Sequence, residues 1–498
     1  MEGKLSILMV SAEVHPLAKV GGLADVMGAL PRALADAGHD VKIALPFYKQ
    51  IRDGDLKTSP VKGAGEFDVP FGDTTVAAKA YSARLPGSKV EVLLIENERF
   101  FGRDGVYSSA ATGEAFSDNA ERFIFFSGAV LRLARLTGYK PDIIHCHDHQ
   151  TGFIPAWLRD EPKAGPYFKD TGIVYTIHNL AYQGVFPRKM GYVAGFSEHM
   201  MKPVGGIEFH GDVNMMKAGI IYSDTITTVS PTYAREIQTE EFGHGLEGVL
   251  TSRARDLVGI LNGVDYSVWN PESDKLIPYR YSIQDQTGKR LCREHLIKRL
   301  DLKVPDGVPI VGMISRLVDQ KGFDLVAAAL DRLIDLDLAL VILGTGEKKY
   351  HDLLGEYAGR YPGRVSVNIA FDEELAHQIE AGCDMFLMPS KYEPCGLNQM
   401  YSMKYGTVPV VRKTGGLADS VIDLDASPDS TGFVFEKYSA DELFGAVERA
   451  REAYRDGNAW SELMLRAMKR DFSWQHQARQ YIDTYVATLK KRKVVTES

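Results

Sequence analysis

Short runs of aliphatic and β-branched residues alternate with segments of helical period along this chain, and the rhythm runs through twice. A parallel strand covered by helices on both faces reads as an unbroken apolar run. Such runs stand at LSILMV (5–10), VKIAL (41–45), DIIHCH (142–147), GIVYTIH (172–178) and TITTVS (225–230). They resume at PIVGMIS (309–315), LALVILG (338–344), RVSVNIAF (364–371), DMFLMPS (384–390), VPVV (408–411) and FVFE (433–436). Between them lie helical stripes. Leu23, Val26, Met27, Leu30, Leu34 and Ala37 share one face of a helix predicted over 23–37, which Pro31 is expected to bend rather than end. Further helices are expected at DLVAAALDRLIDL (324–336) and DEELAHQIEAG (372–382). Alternating βα units of this kind predict the α/β class, with two Rossmann-like, doubly wound sheets in series.

A chain of 498 residues exceeds one ordinary core, in keeping with two domains. The polar, glycine-containing stretch around 253–265 suggests a boundary, giving domains over 1–257 and 258–472. In the remaining tail, 473–498, Ala478, Tyr481, Ile482, Tyr485 and Leu489 fall at helical spacing. That apolar face must be buried, so a helix crossing back onto the first domain is expected.

Charge narrows the partners. Lys and Arg number 58 against 66 Asp and Glu, a formal charge of −8, which argues against nucleic acid or an anionic membrane as partner. An anionic ligand must then be held by local cations. The four cysteines show no C-x-x-C pair and no zinc-like spacing, which fits a cytoplasmic setting. LSILMV has no cleavage site and is far too short to span a bilayer.

One pattern, K-x-G-G-L-A-D, occurs twice, at 19–25 and at 413–419. The copies are too far apart for a tandem repeat, and they follow strands of different rank in the two halves. In open α/β sheets ligands sit at the carboxyl ends of strands, where glycine loops lead into helices. Two such sheets facing across a cleft would each contribute a loop. Paired glycines before a helix are also common packing devices, so the neighbouring strings decide. SRLVDQKG (315–322) places Arg316 and Lys321 at a strand end, and PSKYEPCGLNQM (389–400) places Glu393 before Cys395, Gly396 and Leu397 at a helix entrance. Either cation, alone, reads as a solvated loop charge, and Glu393 alone as a helix cap.

Histidines cluster at IIHCHDHQTG (143–152) and YTIHNLAYQG (175–184). A metal held by His145, His147 and His149 is the minor reading, because the three share a face only if the strand continues through all of them. His145 or His147 also reads as a satisfied core histidine. His178, at a strand end before Asn179, is the better candidate for a cleft.

Taken in order, K-x-G-G-L-A-D, HNLAYQG, NGVD (262–265), SRLVDQKG, PSKYEPCGLNQ and KTGGLAD strongly resemble the bacterial glycogen synthase and plant starch synthase family, from about residue 5 to DFSW at 471–474. The resemblance implies the GT-B fold and a retaining transfer of glucose from ADP-glucose to the nonreducing end of an α-1,4-glucan, with the acceptor on the first domain and the donor on the second. It implies that Arg316 and Lys321 hold the diphosphate, with Lys19 reaching the donor and Gly21 and Gly22 supplying backbone contact. Asp25, Asn262 and His178 would position the donor sugar, and Glu393 would bind its hydroxyls beside Cys395, Gly396 and Leu397. Phe371 stands where the family usually has a tyrosine stacked on the base. The catalytic set so implied is Glu393, His178, Arg316 and Lys321.

No cofactor and no metal are expected, since the two cations can do what a divalent ion does elsewhere. The D-x-D strings at 53–55, 335–337 and 423–425 read as solvated carboxylates. Glu393 and Asp148 are the carboxylates to weigh for a double displacement, whereas the family pattern suggests same-face displacement. For the acceptor glucan, Asp148, Phe101 and Tyr107 are candidates, the two aromatics as stacking platforms. The chain departs from the family's usual H-x-H-D-W-H, reading His145, Cys146, His147, Asp148, His149, Gln150. An epimerase, a phosphorylase and a noncatalytic glucan-binding module are the competing classes. The first needs bases at a sugar carbon, the second a lysine for pyridoxal phosphate, and the third has no use for Arg316, Lys321 and Glu393 together.

Overall fold

The computed structural model describes residues 3–160 and 166–497. The chain divides into two compact units. The first comprises the chain up to Val229, then Ala234–Gly263, and the last helix from Trp474; the second comprises Ser230–Tyr233 and Val264–Ser473.

The first unit carries β1 (Ser6–Val10), β2 (Asp40–Pro46), β3 (Ser59–Pro60), β4 (Glu66–Phe71), β5 (Thr74–Arg84), β6 (Glu91–Glu96), β7 (Ile143–His147) and β8 (Gly172–Ile177). After them come β9 (Val185–Phe186), β10 (Glu208–Phe209), β11 (Asp212–Asn214), β12 (Thr225–Thr228) and β13 (Leu257–Gly259). Its main sheet runs β13-β12-β8-β7-β1-β2-β6-β5-β3, with β4 on β5; β9, β10 and β11 form a separate small sheet. From β13 to β6 all neighbours are parallel, and β3, β4 and β5 are added antiparallel at one edge. The sequence reading passes over this edge. Strand β4 buries only alternate residues, so it lacks the continuous apolar run that marks a central strand.

The boundary is corrected by β13. Leu257–Gly259 pairs in parallel with β12, so the first unit extends to Gly263 rather than ending at 257. The last helix, Trp474–Glu497, belongs to this unit, with Tyr481 and Tyr485 fully buried. The Tyr485 hydroxyl lies 2.8 Å from His145 Nδ1, and the Thr488 hydroxyl 2.7 Å from that of Thr225.

The second unit is a six-stranded parallel sheet of β14 (Ile310–Ile314), β15 (Ala339–Leu343), β16 (Val365–Asn368), β17 (Met385–Met388), β18 (Val408–Arg412) and β19 (Phe433–Phe435). Its order, β16-β15-β14-β17-β18-β19, is the Rossmann order, third-second-first-fourth-fifth-sixth. The parallel part of the first sheet, β6-β2-β1-β7-β8-β12-β13, repeats that order with one strand more. In each unit the direction of winding reverses beside the first strand, between β1 and β7 and between β14 and β17. At such a switch point the loops leaving adjacent strands diverge, and a crevice opens at their carboxyl ends. Among the described residues no helix is long and apolar enough to cross a membrane.

Candidate active site

In the second unit three loops leave the carboxyl ends of β14, β17 and β18 and pack backbone on backbone. Lys391 N donates to Gln320 O at 2.9 Å, and the Gln320 amide to Tyr392 O at 3.3 Å, joining the loop of Arg316 and Lys321 to the loop of Glu393. Gly416 N donates to Glu393 O at 3.1 Å. A Cβ on Gly415, whose φ is 43°, would stand 1.9 Å from Glu393 O, and one on Gly416 would stand 2.0 Å from Cys395 O. Only glycine permits that approach. The second K-x-G-G copy thus serves to seat the Glu393 loop.

Lys321 Nζ pairs with Glu393 Oε2 at 2.6 Å, and the Ser390 hydroxyl donates to the same oxygen at 2.9 Å. Glu393 is buried, yet its other oxygen, Oε1, accepts no hydrogen bond among the described residues. One oxygen is committed to holding the lysine; the other is available. Arg316 is exposed, its guanidinium making one long contact of 3.3 Å, to Gln320 Oε1, among the described residues. Cys395 is buried, while Gly396 and Leu397 are half-buried and lead into the helix Asn398–Lys404. Phe371 lies in the loop after β16 and is 90% exposed, with its ring free of the core.

In the first unit the first K-x-G-G copy is built otherwise. The Glu13 carboxylate, 4% exposed, accepts from Val20 N at 2.6 Å and Gly21 N at 2.8 Å through Oε2, and from the Tyr107 hydroxyl at 2.7 Å through Oε1. The amides of Val20 and Gly21 therefore turn toward Glu13. At Gly21 and Gly22 an added Cβ would meet nothing within 4 Å. The helix Gly22–Asp36 starts there and continues through Pro31. Lys19 pairs with Asp25 at 2.7 Å on the surface of the loop. Glu13 is a residue that the motif reading missed, and a lone acid in the loop after a first strand carries no local signal for this role.

The strand-end histidines sort differently from a metal site. At Asp148 the chain turns with φ 54°, so His149 leaves the line of β7, and its Nδ1 lies 2.9 Å from Tyr182 O. His145 is clamped between the Tyr485 hydroxyl and the Thr176 hydroxyl, at 2.8 and 2.6 Å. His147 Nδ1 stands 3.0 Å from His178 Nε2. Burial pushes His145 and His178 down to about 3, so both rings are neutral. Asp148 accepts from His178 N at 2.7 Å, and burial raises its carboxyl to about 7. Asn262, just past β13, is buried with its Oδ1 unpartnered among the described residues.

One acceptor candidate is corrected. Phe101 is 0% exposed, its ring packed edge-on against Tyr48 at 5.7 Å and Phe126 at 6.5 Å, so it is core and offers no face to a sugar. Tyr107 is half-buried with its hydroxyl committed to Glu13. Four of the six D-x-D carboxylates hold cations of the chain: Asp53 pairs with Lys49, Asp337 with Arg364, and both Asp423 and Asp425 with Arg449.

Residues 6–252 match the starch synthase catalytic domain, and residues 297–462 match the glycosyl transferases group 1. A glycogen synthase of Geotalea daltonii is 47% identical over 98% of this chain and 100% of its own length. Glycogen synthase 2 of Geobacter metallireducens is 46% identical over 97% of this chain and 98% of its own. Among solved structures, the catalytic domain of starch synthase IV from Arabidopsis thaliana, bound to ADP and acarbose, superposes with a TM-score of 0.88 at 33% identity, covering 98% of this chain and 100% of that one. A sucrose-phosphate synthase from Thermosynechococcus elongatus, with a TM-score of 0.60 at 18% identity over 99% of this chain and 100% of that one, shares the fold. Two Rossmann-ordered sheets, the strand-end loops that carry the family's strings, and relatives matched along their whole length together make this chain a glycosyltransferase of GT-B fold that belongs to the glycogen synthase family.

Proposed function

We propose that the chain transfers glucose from ADP-glucose to the nonreducing end of an α-1,4-glucan, with retention of configuration and release of ADP. The observation that carries this reading is the Lys321–Glu393 pair, whose other carboxylate oxygen accepts no hydrogen bond among the described residues, on loops shared with the exposed Arg316. A carboxylate paired with one cation, on a loop bonded to the loop that carries a second, suits a ligand that is a sugar at one end and a diphosphate at the other. The starch synthase IV domain, solved bound to ADP and acarbose, supports the same reading.

In this mechanism the bond from the sugar C1 to the diphosphate oxygen breaks, and a bond from C1 to the acceptor hydroxyl oxygen forms on the same face. The acceptor proton passes to the departing phosphate. Negative charge grows on the diphosphate as it leaves, and Arg316 and Lys321 stabilise that change more than they stabilise the ground state. Glu393 holds the sugar hydroxyls and faces the developing positive charge at C1. His178 hydrogen-bonds as a neutral ring, and the unpartnered Asn262 Oδ1 has room for a hydroxyl donor. Lys19, Asp25 and the backbone at Gly22 approach the donor, whereas the Gly21 amide, held by Glu13, is not free to do so; for Lys19 and Asp25 this means exchanging their mutual ion pair. Phe371 stacks on the base. No metal and no cofactor takes part, and the four free cysteines fit a cytosolic enzyme.

The test is incubation with glycogen and labelled ADP-glucose or UDP-glucose, followed by proton NMR of the new linkage. Incorporation from ADP-glucose with α linkage is expected. No incorporation from ADP-glucose, or equal rates from both donors, would sink the assignment of donor.

A further inference from the structure

His147 ends β7, is 0% exposed, and keeps its Nε2 buried without a partner among the described residues. Its Nδ1 stands 3.0 Å from His178 Nε2. Between two neutral ring nitrogens at that distance one donates and the other accepts. If His178 Nε2–H donated, His147 would have to carry its own proton on Nε2, as a buried N–H with no acceptor. If His147 Nδ1–H donates, only a bare lone pair is left at Nε2, and His178 carries its proton on Nδ1. An orphaned buried N–H is the rarer and costlier arrangement. The His145 ring, at 4.1 Å between centroids and itself held from both sides by Tyr485 and Thr176, packs against His147 and restrains it from turning.

We propose that His147 is a positioning residue whose Nδ1–H donates to His178 Nε2, fixing His178 as the neutral Nδ1–H tautomer that presents a hydrogen-bond donor at the end of β8. Nδ1 of His178 makes no hydrogen bond among the described residues. A donor there fits an oxygen of the ligand, hydroxyl or phosphate. Burial, which pushes both rings far below the usual imidazole range, keeps either from carrying two protons. The consequence for catalysis rests on the reading of His178 as a donor-site residue; the tautomer does not.

The full chain, labelled with 15N in its imidazole rings, reports the tautomer directly in long-range proton–nitrogen correlations. Protonated Nδ1 and bare Nε2 are expected for both His147 and His178. In His147→Phe the tautomer ratio of His178 should shift toward Nε2–H by about five- to tenfold, the worth of one hydrogen bond, and kcat with ADP-glucose should fall by a similar factor. His147→Asn, whose side-chain N–H replaces Nδ1–H, should restore both. A wild-type spectrum with His178 protonated at Nε2 overturns the proposal, even if no variant folds, and so does a folded His147→Phe with unchanged His178 signals. The expected tautomers with kcat unchanged in His147→Phe would support the positioning geometry and overturn the assignment of His178 to the donor site.

Discussion

Glu393 has one oxygen bound to Lys321 and Ser390 and one oxygen open, so its substitution acts on two things at once. On the proposed roles, Glu393→Gln removes the negative charge that would face the reacting carbon and weakens the hold on Lys321, whereas Arg316→Ala removes positive charge where the diphosphate would depart. Each is expected to lower turnover at least about a hundredfold, the scale for losing one electrostatic stabiliser. Calorimetry with ADP separates them: Arg316→Ala removes a diphosphate contact outright, while Glu393→Gln leaves Lys321 charged and touches ADP only through the placement of that lysine, so it should cost clearly less ADP affinity than Arg316→Ala. Equal loss of ADP in both, or normal turnover in either, would overturn these roles. The two glycine loops give a second contrast. Gly416→Ala drives a Cβ into Cys395 O, and we expect a cost of about 2 kcal/mol or more in the second unit's stability. Gly22→Ala meets no atom and should leave the urea midpoint in place while lowering activity. Unchanged activity in folded Gly22→Ala would remove that loop from the site. Arg316, Lys321 and Glu393 were legible because each sits in a local string at a strand end. Glu13 was not, because its partners Val20, Gly21 and Tyr107 are gathered only by the fold.

Strand β7 gathers groups whose protonation is tied to folding. His145 and His178 fall from 6.5 to about 3, and His147 falls well below 6.5, each chiefly by burial. Between those values the unfolded chain binds a proton that the folded chain refuses, so their contribution is present above about 6.5 and is lost as pH falls. Asp148, raised from 3.8 to about 7, acts oppositely: its contribution is present below 3.8 and is lost as pH rises toward 7. Three groups outweigh one. The first unit's unfolding free energy, read from its urea midpoint, should climb from about pH 4.5 to about pH 6.5, by about 1 kcal/mol per pH unit or more. Asp148→Asn should steepen the climb and His145→Gln should flatten it; a level midpoint in the wild type would refute the linkage. On the last helix, Tyr485→Phe takes one hydrogen bond from His145 and should cost about 1 kcal/mol, read as a lower midpoint of that unit. No change would mean that the Tyr485–His145 contact adds nothing to the hold on the last helix. The histidine spacing was visible in the sequence, but the turn at Asp148 that removes His149 from the row was not.

Across the whole molecule the charge of −8 gives no general attraction for an anion, so in the proposed reaction the charge of a departing diphosphate would fall to the few cations at strand ends. Activity in excess chelator is therefore expected to stay near its untreated value. A large loss restored by magnesium or manganese would place a metal in the reaction. Both sheets wind in one order, and in both the candidate residues lie past the carboxyl ends of strands: His178 after β8, Arg316 after β14 and Glu393 after β17.

The sequence by itself determined the α/β class, all the parallel strands of the second sheet, and which loops carry cations, glycines and the key carboxylate. Period and loop chemistry are local properties, written within a few consecutive residues. The tertiary structure alone decided that β13 closes the first sheet, that Phe101 is core rather than platform, and that His147 meets His178 across 31 residues and Tyr107 meets Glu13 across 94. Those outcomes depend on which strands become neighbours. Strand order is set by burial of whole faces against one another, and no short stretch of chain contains it.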